Sequence, residues 1–224
     1  MQAQVRGLVR ARRKRSARKP LTTLAGIIII AIMLFPLYWM LVNSLETDQE
    51  IFNIPAPLFP THITIAAYTS TFADQLPHLL TSIIVSLGTV VISLIIATPA
   101  AYALAHFHLR FSPALIFGLL LAQMIPSVTL ATPVFLIFNN LHLLNSYFGL
   151  ILADTTYVIP FAVITLAAFM QSLPYELIEA AFINGSGEWS AFLRIIRPLS
   201  LPGVIPDGLF AFLFAWGDFL YGLT

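Results

Sequence analysis

The sequence predicts an all-α, polytopic transmembrane protein with about five spans and its N-terminus in the cytoplasm. Three observations carry this. Hydrophobic residues make up 58% of the 224-residue chain and charged residues 9%, against about 45–50% and about 25% in soluble domains. Mean hydropathy is +0.89, so too few polar side chains remain to cover a soluble surface. Eight of the 11 Lys and Arg residues lie among the first nineteen positions, leaving long uncharged runs behind them.

The elements follow in order. Residues 1–20 are a basic tail carrying Arg6, Arg10, Arg12, Arg13, Lys14, Arg15, Arg18 and Lys19. Such a run suits anionic lipid headgroups and sets topology; it does not imply nucleic-acid binding. Residues 21–45 carry no charge before Glu46 and would form a helix of about 37 Å, long enough to span. The run exceeds the roughly 7–15-residue apolar core of a signal peptide, and no small-x-small cleavage site follows, so an uncleaved first span is expected. Residues 46–78 contain Pro55, Pro57, Pro60 and Pro77 and read as irregular or short interfacial structure. Residues 79–105 supply the second span. Residues 111–153 carry no formal charge and are too long for one crossing. Asn139, Asn140, His142, Asn145, Ser146 and Gly149 interrupt them, predicting spans over 113–138 and 147–170. A fifth span is expected over 203–223, weakened by Asp207 and Asp218.

Lys and Arg accumulate in short cytoplasmic loops. With the N-terminus inside, Arg110 after span two and Arg194 and Arg197 after span four also fall inside, so every basic residue agrees with one topology. The absence of cysteine removes thiolate chemistry and Cys-ligated metal. His106 and His108 sit two apart with no nearby carboxylate, so no metal site is expected. No nucleophile motif accompanies the serines and histidines, and no G-x4-G-K-[ST] phosphate loop occurs, so the chain is not expected to be an enzyme or to bind nucleotide by that route.

Residues 171–202 form the one sizeable segment predicted inside. Pro174 suits a first helical position, Glu176 and Glu179 sit at the positive end of the helix dipole, and Asn184-Gly185 gives an end signal, predicting a helix over 174–183. Beyond Asn184-Gly185-Ser186-Gly187, residues Trp189, Phe192, Leu193 and Ile196 fall at i, i+3, i+4 and i+7, an amphipathic helix that Pro198 should terminate. Ala180 and Ala181 leave little bulk and would let a partner approach the backbone. On pattern alone two readings stand: a connector lying in the membrane interface, or a docking surface.

The run Glu179-Ala180-Ala181, then Gly185, Ile195 and Pro198, resembles the E-A-A-x3-G-x9-I-x-L-P loop of membrane subunits of binding-protein-dependent ABC importers. Ala100-Ala101-Tyr102-Ala103-Leu104-Ala105, Pro126 and Pro133, and Ala215-Trp216-Gly217-Asp218 extend the resemblance to the carbohydrate branch, similar to the second permease of maltose-type systems. Three departures stand out. Arg197 replaces the usual Leu before Pro198, His106 stands where a basic residue is common, and the family ordinarily has one further span, so the last one is expected to be missing from this chain.

The resemblance implies a permease domain over 21–224 with a cytoplasmic coupling loop over 171–202, in the inner membrane of a bacterium. It implies coupling through Glu179, Ala180, Ala181, Gly185, Ile195 and Pro198. It also implies a second homologous permease subunit, two cytoplasmic ATPase subunits that hold the ATP and Mg, an extracytoplasmic solute-binding protein, and a sugar or oligosaccharide as solute. The alternatives are a non-sugar solute, such as a phosphorylated polyol or polyamine, and a non-transporting scaffold. Polar groups within spans are the candidates for the solute path, because an ionised carboxylate in lipid needs a cavity or partner. They are Asp218 with Trp216 beside it, Asp154, Asn139 and Asn140; span-end positions reaching interfacial water, and helix packing for Trp216, are the competing readings.

Overall fold

A computed structural model describes residues 2–55, 57–107, 110–218 and 222. The chain divides into two compact units, residues 1–76 and 77–224. Among the described residues three helices are long and apolar enough to cross a membrane, and two further bent pairs bring the number to as many as five.

In the first unit, α1 (Gln2–Leu45) runs on from the basic tail through the first span, with Pro20 and Pro36 inside it. Beyond it the chain folds back on the end of the helix. The Thr64 amide donates to the Leu45 carbonyl (2.9 Å), and the Tyr68 hydroxyl donates to Ser44 Oγ (2.7 Å). The short α2 (Asp48–Ile51) is held from its own Glu50, which accepts from the Thr47 amide (3.3 Å) and from the Thr61 hydroxyl. The prolines expected to keep 46–78 irregular act only as far as Ile65. α3 (Ala66–His106) starts well before residue 79, and Pro77 lies inside it. At 1.5 Å per residue its 41 residues run about 61 Å, beyond a hydrocarbon core of about 30 Å.

In the second unit α6 (Tyr147–Gln171) is the central helix, and α4 (Ser112–Met124) and α10 (Leu201–Gly217) pack on it. Ser146 caps it by accepting from the Gly149 amide (3.0 Å). The turn before it uses left-handed backbone at His142 and Asn145, both with φ 55°, which accounts for the polar interruption between the two spans. The span expected over 113–138 is not one helix. α4 (Ser112–Met124) ends at Ile125, and α5 (Ser127–Asn140) leaves at 97°, because Pro126 has no N–H to continue the ladder. The fifth predicted span corresponds to α10 (Leu201–Gly217); residues 219–221 and 223 of that span, and His108, lie outside the described residues.

The buried core gathers at one end of the second unit. Ala97, Ala101 and Tyr102 of α3 meet Ala162, Val163, Leu166, Ala167 and Met170 of α6, together with Ile178, Phe192 and Ile196 of the 171–202 loop. α3 and α6 meet there through side chains, small ones at Ala97, Ala101, Ala162 and Ala167 among them, while the helices packed most extensively on α6 are α10 and α4.

Candidate functional site

The 171–202 loop begins its helix at Glu176 rather than at Pro174, giving α7 (Glu176–Ile183). Its end is a complete Schellman motif. The Gly185 amide donates to Phe182 O (2.9 Å), the Ser186 amide to Ala181 O (2.9 Å), and Gly185 takes φ +80°. Asn184 Nδ2 adds a bond to Ala180 O (2.8 Å). The chain therefore reverses tightly at the glycine.

The second helix does not stop at Pro198. It runs as α8 (Glu188–Ala191), a π-helical segment (Phe192–Ile196) and α9 (Arg197–Leu199). In the π segment the Arg197 amide donates back to Phe192 O, five residues away, so the helical register shifts beyond Phe192. Phe192 and Ile196 are buried, while Trp189 and Leu193 are exposed. Pro198 sits in the first turn of α9, where its missing N–H removes no helical bond.

The loop is thus clamped from above. Phe192 meets the Tyr102 ring (4.9 Å) and Trp189 (5.2 Å), and Ile195 packs against the same core. On α7, Ile178 enters this core and Ala181 is buried, whereas Glu179 and Ala180 point outward with Leu177, Phe182 and Ile183. α7 packs closely on α8 and the π segment, and Ala180 is the alanine presented outward. Glu176, Arg194, Arg197 and Pro198 are also exposed. The result is a short, apolar, acid-flanked ridge held rigidly on the ends of α3 and α6.

The intramembrane acids do not share one site surface. Asp154 is completely buried in α6, with neither carboxyl oxygen hydrogen-bonded among the described residues, and Asp218, the residue after α10, lies within electrostatic reach of it. Asp207 is likewise buried and accepts from the Thr165 hydroxyl at 2.8–2.9 Å. Asn139 and Asn140 are exposed at the end of α5, and Trp216 is half-exposed, stacked on Phe212 (5.6 Å).

The structure also holds a cavity of about 230 Å³ that the acidic residues do not reveal. It lies where α4 breaks, between α6 and α10, and is lined by residues that include Gln123, Thr156, Tyr157, Phe161, Phe210 and Phe214. The sequence signal that marks it is proline-interrupted apolar segments, Pro126 in one and Pro160 in another, rather than charge.

Comparison with known proteins agrees with this architecture. The profile of the family described as "Binding-protein-dependent transport system inner membrane component" matches residues 97–224. The sulfoquinovosyl glycerol transport system permease of Agrobacterium fabrum is 39% identical over 92% of this chain and 73% of its own. The trehalose transport system permease of Mycobacterium tuberculosis is 33% identical over 88% and 72%. A crystal structure of a bacterial ABC transporter involved in the import of the acidic polysaccharide alginate contains a chain of the same fold, with TM-score 0.75 and 21% identity over 88% of this chain and 70% of that one.

Proposed function

Because the chain belongs to the family of binding-protein-dependent transport system inner membrane components, we propose that it forms part of the translocation path of an ATP-driven sugar or oligosaccharide importer. The observation that carries the reading is the outward ridge of α7, anchored through Ile178, Phe192 and Ile196 to α3 and α6. A force applied to that ridge is delivered directly to two membrane helices, because a packed core transmits displacement rather than absorbing it.

On this reading a cytoplasmic ATPase subunit grips Glu179 and Ala180 and the apolar residues beside them. Gly185 sets the angle at which the ridge is presented, and Ile195 and Pro198 hold the second helix against the core. ATP and Mg belong to two such partner subunits. Closure of the ATPase pair moves the ridge, and α3 and α6 carry that motion into an alternating-access transition shared with a second homologous permease. A solute-binding protein supplies sugar from outside, and the positive-inside distribution of Lys and Arg places α7 in the cytoplasm. The sugar class follows from relatives named for trehalose and sulfoquinovosyl glycerol transport.

The chain has no cysteine, so a single Ala180→Cys gives an unambiguous handle. In the assembled complex, a bifunctional thiol reagent on Ala180→Cys should capture the ATPase subunit, and sugar-loaded binding protein should stimulate ATP hydrolysis. Crosslinking to lipid alone, or labelling from the outer face, would refute the coupling role; hydrolysis indifferent to every sugar would refute the solute class.

A further inference from the structure

We propose that the cavity at the break between α4 and α5 is a subsite for one neutral pyranose ring of the transported solute. This deepens the sugar-importer reading and rests on it.

The cavity lies beside the middle of α6, a helix long and apolar enough to cross the membrane. Tyr157 is ten residues into α6, about 15 Å from one end of that helix and about 21 Å from the other. At that depth the break takes backbone groups out of the continuous helical ladder, with short local bonds such as Ile125 N–H to Ala122 O (3.3 Å) and Thr129 N–H to Pro126 O (3.0 Å) satisfying part of them, and hydrocarbon supplies no partner for the rest. Such backbone is tolerated where it borders protein or a wet cavity, and Ala122, Gln123 and Ile125 at the break do line this one.

The lining has the chemistry a sugar ring requires. Two aromatic pairs bridge α6 and α10: Tyr157 with Phe214 (5.7 Å between centroids, 21° between planes) and Phe161 with Phe210 (4.0 Å, 27°). They supply a broad apolar wall for the C–H face of a pyranose. Gln123 brings an amide that both donates and accepts. The Thr156 hydroxyl donates to Ala153 O (2.6 Å), which leaves its oxygen available to accept from a sugar hydroxyl. An apolar, aromatic wall with a few convergent polar groups is the common pattern of small-molecule sites.

Charge and size narrow the ligand. Among the described residues, none of the ten that line it is Asp, Glu, Lys, Arg or His, so a phosphorylated or cationic solute would lose its hydration without gaining a counter-charge from them. A volume of about 230 Å³ lies below the roughly 300–1,000 Å³ of sites that enclose a whole drug-sized ligand. It matches a single ring of a larger sugar rather than a whole oligosaccharide.

The test uses the complete transporter in proteoliposomes, with trehalose, glucose and glucose 6-phosphate as probes. Gln123→Leu should raise the uptake KM for a transported neutral sugar about three- to tenfold, the effect of one lost neutral hydrogen bond. Independently, Gln123→Cys should react with N-ethylmaleimide, and neutral sugar should slow that reaction, while Leu213→Cys, on an exposed part of α10 outside the cavity, should be unaffected. Transport of neutral sugar with unchanged KM in Gln123→Leu and no protection of Gln123→Cys would overturn the subsite and leave the importer reading standing. Protection by glucose 6-phosphate equal to that by glucose would overturn the neutrality argument. Failure of the wild-type complex to move any sugar would overturn the importer reading and the subsite with it.

Discussion

Gly185 offers the sharpest perturbation of the coupling loop, because its two possible roles separate cleanly. An added Cβ there would meet nothing within 4 Å, so a substitution carries no steric penalty against the rest of the chain. The whole cost comes from φ +80°, where an L-residue pays about 1–2 kcal/mol. If that conformation is needed for α7 to be presented, Gly185→Ala should weaken binding of the ATPase subunit about 5–30-fold. Gly185→Asn, whose side chain tolerates the left-handed region, should lose less, and β-branched Gly185→Val should lose most. The assay is titration of purified ATPase subunit onto the permease in nanodiscs, with membrane insertion checked separately, since the spans are untouched. Equal losses for Asn, Ala and Val would refute the backbone argument and point to direct contact at the glycine. Wild-type binding by all three would remove Gly185 from the coupling machinery.

Three other outcomes follow from the packing. A Cβ at Gly203 would lie 2.7 Å from Phe169 Cγ, so Gly203→Ala should cost about 1–3 kcal/mol of overpacking against about 1 kcal/mol of improved helix propensity; a lower melting temperature in detergent is expected, and an unchanged or higher one would show that α6 and α10 relax apart freely. Thr165→Val should destabilise by about 1–3 kcal/mol by stripping Asp207 of its hydroxyl donor, and Thr165→Ser should restore most of that; equal melting of Val and wild type would contradict it. In the outer loop, the Thr61 hydroxyl holds Glu50 below its ordinary pKa of 4.5. The folded carboxylate therefore contributes local stability above the unfolded pKa, and this is lost as pH falls through the lower folded value. The protection factors of amides 47–51, exchange rates normalised to the intrinsic rate at each pH, should thus be high at neutral pH and fall on acidification, and Thr61→Val should flatten that dependence; a pH-independent Thr61-dependent protection factor would refute it.

Several features were legible in the residues themselves. Uncharged runs bounded by polar clusters locate α1, α6 and most of α3, because only satisfied helical backbone survives in hydrocarbon. Asn184-Gly185 marks the end of α7 for an equally local reason: the cap needs left-handed backbone, and glycine supplies it without strain. Helix boundaries were less accessible. Pro77 is accommodated inside α3 and Pro126 breaks its span by 97°, although each is simply a proline in an apolar run. Which outcome occurs depends on what packs around the freed carbonyls, and that is a tertiary property.

The side-chain pattern of the loop divides along the same line. Spacing of 3.6 residues groups Trp189 with Phe192, and their rings do touch, yet Phe192 is buried against Tyr102 while Trp189 stays exposed at the edge of the cluster. Adjacent alanines at 180 and 181 look equivalent in sequence and face opposite ways once Ile178 docks against the core. Sequence alone determined that the chain lives in a bilayer, which way its charges orient it, and where its cytoplasmic turn must reverse, since these depend on composition and local backbone. Only tertiary structure decided that Asp154 is sealed inside the helix bundle and that an uncharged aromatic cavity opens beside the break at Ile125. Burial and concavity arise from helices distant in sequence meeting, and no local rule encodes that meeting.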